Sequence, residues 1–193
     1  MKKKLFRISI AFSCFAFGLL VFQANFSFRL WLESPRNAEL VSAARKADAN
    51  KVRELIENGA NPNGYYPERE ACDKDYFSDY KVFNEVIRIK NVEVVKVFLD
   101  EGADVNLPDD DGMSPLITAT SWHASEIVAL LLSHGADVNY KYDNKTALDF
   151  AEKTLTFYKN FTLKDGTKDE LTIAQSEKIK LMLEEAGGKK ADK

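Results

Sequence analysis

Apolar positions along this chain come in short bursts that stop and restart at a regular interval. The pattern is clearest between residues 106 and 139. Ser114 before Pro115 reads as an N-cap with proline at the first helical position. Leu116, Ala119 and Thr120 then fall on one face of a short helix that ends near Trp122. A second helix is predicted from Ser125 to His134, with Ile127, Val128, Leu130, Leu131 and Leu132 as its apolar side and Gly135 as its stop. Three of the predicted second helices lead into a related pentapeptide. "GADVN" occupies 102–106 and again 135–139, an offset of 33 residues, and the variant "GANPN" at 59–63 precedes the first copy by 43. Recurrence at that interval marks an internal repeat of helix–turn–helix units.

The other units are looser. Unit one spans about 34–63 and keeps Leu40, Ala43, Ala44, Val52, Leu55 and Ile56, with Ser34–Pro35 starting its helix a turn early. Unit two, about 81–106, keeps its second helix but begins "KVFN", so its first helix is expected to pack differently. Unit three covers 107–139 and unit four about 140–188. Unit four opens "NKTALDFA", with Asn144 at a turn position that favours left-handed backbone, and its second helix arrives 20 residues late. "TKDE" (167–170) reads as a capping box that starts that helix early. Two insertions, about 64–80 and 155–172, interrupt the period. Extra residues can only project from a stacked array, where their aromatics either fold back or form contact surface. Residues 189–193 make a polar tail.

Taken together, the cap, the small-residue face, the leucine run and the turn in "SPLI…EIVALLLSHGADVN" resemble the ankyrin repeat, with SPLI standing for that family's TPLH. The resemblance covers about residues 38–188. It implies an all-α ankyrin-repeat solenoid of about four helix–turn–helix units. His123 stands where the family pattern has an interhelical glycine.

The first 33 residues read as a targeting segment. "MKKKLFR" precedes a run without charge from Ile8 to Phe28, long enough to span a bilayer as a helix, and Trp31 follows Arg29. The best cleavage point, after Ala24, has Phe22 where a small residue is expected. An N-terminal hydrophobic signal anchor over residues 8–28 is therefore favoured over a cleaved signal peptide. The array is expected on the outer, periplasmic side of a bacterial envelope, or free in the periplasm or medium if cleavage occurs. A lipid-attachment reading of Cys14 is weak, because "AFSC" lacks the usual aliphatic residue.

Charge narrows the partners. Lys2, Lys3, Lys4, Arg7, Arg29 and Arg36 against Glu33 give the first 36 residues +5 of a net −3, so residues 37–193 carry −8. An acidic body disfavours nucleic acid, whose binding needs clustered Lys and Arg. With Cys14 in the apolar run, Cys72 has no mate for a disulfide in the folded part, and no CxxC motif occurs.

Enzyme chemistry finds little support. His123 and His134 are the only histidines, and the repeat places no nucleophile or carboxylate to activate them. "DDDG" (109–112) fails as a calcium loop because its glutamate position falls on Thr118; it reads as an acidic turn tip. Asn25, Asn144 and Asn160 begin N-x-S/T sequons, relevant only in a eukaryotic secretory route. No glycine-rich phosphate loop is present, and no cofactor, metal or small-molecule substrate is expected. The alternative is an enzyme or metal protein with its site in the insertions, where Cys72 lies among Glu70, Asp73 and Asp75.

Function is therefore expected on the surface, as a non-enzymatic module that binds a protein partner. The resemblance implies that turn tips and the exposed side of the first helices grip it. Those positions are Pro108, Asp110, Asp111 and Met113 in the third turn, Ser121 and Trp122 after its helix, and Arg88 and Ile89 in unit two. In unit four they are Lys141, Asp143, Lys145, Lys153 and Thr154. Trp122 is the expected anchor, with burial against unit two as its alternative. A regulatory or immunity-type role toward one envelope partner is the family-level refinement.

Overall fold

The computed structural model describes residues 35–67, 79–162 and 167–191. The expected anchor at 8–28 and Cys72 lie outside these residues. Among the described residues no helix is long and apolar enough to cross a membrane.

Eight helices and one short ribbon make up the described chain. Helix α1 covers residues 35–45, and α2 runs Ala49–Glu57. Strands β1 (Tyr65–Pro67) and β2 (Asp79–Lys81) pair antiparallel, Tyr65 opposite Lys81. Then follow α3 (Val82–Ile89), α4 (Val92–Asp100), α5 (Pro115–Ser121), α6 (Ser125–Ser133), α7 (Ala147–Asn160) and α8 (Glu170–Glu185). The helices stack in two rows. One row brings α3, α5 and α7 together; the other brings together α2, α4, α6 and α8.

Local chemistry explains the helix boundaries. Ser114 accepts from the amide of Ile117 at 3.3 Å, with Pro115 at the first helical position. Asn91 and Asp48 cap α4 and α2 in the same way. Thr146 and Asp149 form a reciprocal capping box on α7. Gly59, Gly102, Gly135 and Gly187 end the second helices in left-handed backbone, where a side chain would be strained. Four other turns adopt that backbone without glycine: Ala47, Lys90 and His123 between paired helices, and Asp143–Asn144 at the fourth turn.

Packing follows the repeat. Leu40, Val52, Val86, Phe98, Leu116, Leu131 and Leu183 are all fully buried in one continuous core. α5 is enclosed on all sides, since every residue from Pro115 to Thr120 is buried. The pentapeptides form a second, polar spine. Asn63 accepts from the amide of Asp104 at 2.7 Å and donates to the carbonyl of Gly102. Asn106 repeats both contacts on Asp137 and Gly135, and Asn139 repeats them on Lys189 and Gly187. Each unit's last asparagine thus holds the next unit's turn in register.

Three expectations are corrected. The first helix of unit two does not pack differently: α3 stacks on α5, and the buried Asn84 donates to the carbonyl of Met113 at 3.1 Å. "TKDE" is not the capping box of α8. Asp169 caps it instead, accepting from Thr172 N at 3.0 Å and from the Thr172 hydroxyl at 2.7 Å. The insertion in unit four is not mainly a projecting loop, because it prolongs both helices, making α7 14 residues long and α8 16. The one sheet among the described residues is the β1–β2 ribbon, whose two strands stand at the start and end of the other insertion.

Candidate protein-binding face

Counting from the N-caps places equivalent residues of the stacked first helices in rows. The caps are Lys81, Ser114 and Thr146. Seven positions on stand Arg88, Ser121 and Lys153; eight on, Ile89, Trp122 and Thr154; nine on, Lys90, His123 and Leu155. These rows form the face on which the sequence places a partner.

Trp122 is its most prominent member. The residue closes the otherwise buried α5 yet is 46% exposed. It does not bury itself against unit two; Lys90 Nζ instead lies 5.7 Å from the indole centroid, within cation–π range. Ile89, beside it, is half-buried.

The other predicted contact residues divide into free and committed groups. Asp109, at the base of the third tip, accepts from the amide of Met113 at 2.8 Å and lies 3.8 Å from Arg88. Arg88 also faces Glu85 at 3.8 Å, so this guanidinium is a brace inside the face. Asp110 is exposed but accepts from the Tyr65 hydroxyl at 3.0 Å, which ties the ribbon to the third tip. Asp111 is exposed. Met113 and Pro108 are half-buried, and the Ser121 hydroxyl is shielded from solvent without a hydrogen-bond partner. Lys141 is exposed in the fourth tip, where Lys145 pairs with Asp143 at 2.9 Å.

One feature escaped the sequence reading. The prolonged α7 presents Phe157, 56% exposed, stacked on Phe161, 44% exposed, with ring centroids 5.4 Å apart. Tyr158 turns the other way and meets His123 edge-on at 5.4 Å. The i, i+4 spacing of Phe157 and Phe161 carries that signal only once the segment is helical.

His123 is the strained and titratable group of this region. Its backbone is left-handed, and its Nδ1 is shielded without a partner. Burial holds the imidazole below its ordinary pKa, and Lys90 adds to that, against the opposing pull of Asp169. A shallow pocket of about 200 Å³ opens here between Lys90, Val92, His123, Ser125, Glu126 and Gln175. Among the described residues no group of three or more His, Cys, Asp or Glu is placed to hold a metal ion.

A two-row stack of capped helix pairs joined by projecting tips defines a helical repeat solenoid. Residues 83–155 match the family model for ankyrin repeats (3 copies), so this part of the chain consists of ankyrin repeats. The chain is similar to a BTB/POZ domain and ankyrin repeat-containing protein NBCL of Lupinus angustifolius, 42% identical over 95 residues, 48% of this chain and 19% of that protein. It is also similar to the ankyrin repeat, SAM and basic leucine zipper domain-containing protein 1 of Neofelis nebulosa, 31% identical over 113 residues, 56% of this chain and 22% of that protein. The chain thus spans only about a fifth of the length of these relatives.

Proposed function

We propose that this protein is a non-enzymatic protein-binding module of the cell envelope. It grips one partner with the third and fourth tips and with the helix face centred on Trp122. The observation that carries this reading is Trp122: a large aromatic left 46% exposed at the end of a helix that is otherwise buried. Burying an exposed indole is among the strongest sources of binding energy at protein interfaces, and the rigid stack beneath it keeps the ordering cost low. The free tip residues Asp111 and Lys141 then supply orientation and encounter rate.

Placement in the envelope rests on the cationic start and the uncharged run at 8–28, with the array outside. A regulatory or immunity-type role toward an envelope partner fits a small binding module held there. A photocrosslinking residue at position 122, in the full chain expressed in its own host, tests the reading. The expected result is one adduct from position 122 and none from Lys96, exposed on the opposite row. Equal capture from both positions would remove the face from consideration.

A further inference from the structure

The character of the partner is also written in this face. Besides Trp122, the exposed large apolar groups of the first-helix row are Phe157 and Phe161, carried by the prolonged α7. Lys90 lies over the indole, and Lys153 stands on α7 in the row beside Trp122. Both lysines are exposed, and among the described residues no acidic side chain forms an ion pair with either. Nearby acids are otherwise placed. Glu85 and Asp109 face Arg88, Glu152 faces Lys180 and Lys190, Glu177 pairs with Lys159, Asp169 is engaged in capping α8, and Glu126 lines the pocket beside Lys90 without an ion pair to it. A chain whose body carries −8 therefore presents a cationic, aromatic strip along one edge of its face.

Resting on the binding reading above, we propose that the partner contributes a narrow acidic and apolar peptide segment. Its bulky apolar side chains cover Trp122 and Phe157, and its carboxylates meet Lys90 and Lys153. Apolar anchoring supplies the energy, and charge supplies register and discrimination. An anionic bilayer has the same local chemistry but the wrong shape. A flat surface laid on this face would also meet the exposed Asp110, Asp111 and Asp143 at the tips, whereas a peptide confined to the edge avoids them.

Selection of a phage-displayed random peptide library on the full chain in detergent tests this. Enriched peptides are expected to combine Trp, Phe or Leu with clustered Asp and Glu. For a synthetic enriched peptide, Trp122→Ala should weaken binding at least about tenfold. Lys90→Gln with Lys153→Gln should weaken it several-fold and flatten its salt dependence, and Lys96→Gln should change nothing. Enriched peptides without acidic bias that still depend on Trp122 would overturn the charge assignment and leave the binding face standing. Peptides indifferent to Trp122→Ala, or no enrichment at all, would overturn both. With Trp31→Phe making Trp122 the sole tryptophan, the enriched peptide should shield it from a soluble quencher and phosphatidylglycerol vesicles should not. Shielding by the vesicles would assign the strip to lipid and overturn the proposal.

Discussion

Asn106 holds the following unit by two bonds at once: its Oδ1 accepts from the amide of Asp137 at 2.7 Å, and its Nδ2 donates to the carbonyl of Gly135 at 3.2 Å. The partners lie about one repeat away along the chain, so this side chain converts sequence periodicity into structural register. Asn63 and Asn139 do the same for their neighbours. Inside each turn the second carboxylate or amide closes a local loop, as where Asp104 accepts from the amide of Asn106 at 2.9 Å. The pentapeptide recurs because every one of its polar positions has a backbone partner at each step of the stack.

Replacing Asn106 with Ala removes both bonds and leaves the Asp137 amide to water. The expected loss is about 1–2 kcal/mol, the net worth of two partly exposed hydrogen bonds. Urea unfolding measures it. An unchanged midpoint would show that the ladder adds nothing to stability.

Leu131 is fully buried, whereas Asp111 sits exposed at the third tip. Leu131→Ala should cost about 2–5 kcal/mol as a buried large-to-small change. Asp111→Ala should stay within about 0.5 kcal/mol. Coincident midpoints for the two variants would contradict this assignment of inside and outside.

Ala47 adopts φ 57°, exposed at the first interhelical turn, where a Cβ crowds the following carbonyl. Ala47→Gly should therefore raise stability by about 0.5–1 kcal/mol, in contrast to the usual penalty for glycine in a helix. Thermal unfolding of the two proteins side by side decides it.

Acid should weaken the fold in two separate steps. His123 is held below its ordinary value, so the unfolded chain binds its proton first; stability is complete above about pH 6.5 and falls as pH drops toward the lowered folded value. Asp149 titrates further down. Burial alone would raise it, but hydrogen bonds from the Ala191 amide and from the Thr146 amide and hydroxyl, with Lys190 nearby, bring it below its ordinary value. Its contribution is present above the ordinary carboxylate range and is lost as pH falls through the folded value. His123→Asn, which tolerates the left-handed backbone, should abolish the upper step alone. Asp149→Asn should shrink the lower one, leaving the share of Asp169, which its hydrogen bonds from the Thr172 amide and hydroxyl also hold below the ordinary value. Denaturation midpoints across a pH series read both.

Binding should separate the acidic residues of the third tip. Trp122→Ala is expected to weaken the partner by at least about 2 kcal/mol, mainly through faster dissociation. Asp111→Asn should instead slow association and reduce its dependence on salt. Asp109→Asn should act mostly on stability, because that carboxylate is already spent on Met113 and Arg88. Surface plasmon resonance across a salt series, paired with unfolding data, distinguishes the three.

Much of this molecule is local and therefore legible in the residues themselves. Ser114–Pro115 starts a helix through one amide three residues on, Gly135 stops one through its own left-handed backbone, and Leu131 lies inside by helical period. These are short-range relationships, and the chain spells them out in order. Tertiary structure decided what depends on residues far apart. Asp109 and Arg88 are 21 positions apart and neutralise each other only because α3 stacks on α5. Asp110 is engaged by Tyr65 across 45 residues, and Asn84 reaches Met113 across 29. Thr146 and Asp149 anchor residues 189–191 by the same means. The prolonged hairpin of α7 and α8 belongs to this group as well. Residues that look like a loop when read singly become helical when each has the other's apolar side to cover, and Trp122 is left in the open in the row it shares with Ile89 and Thr154.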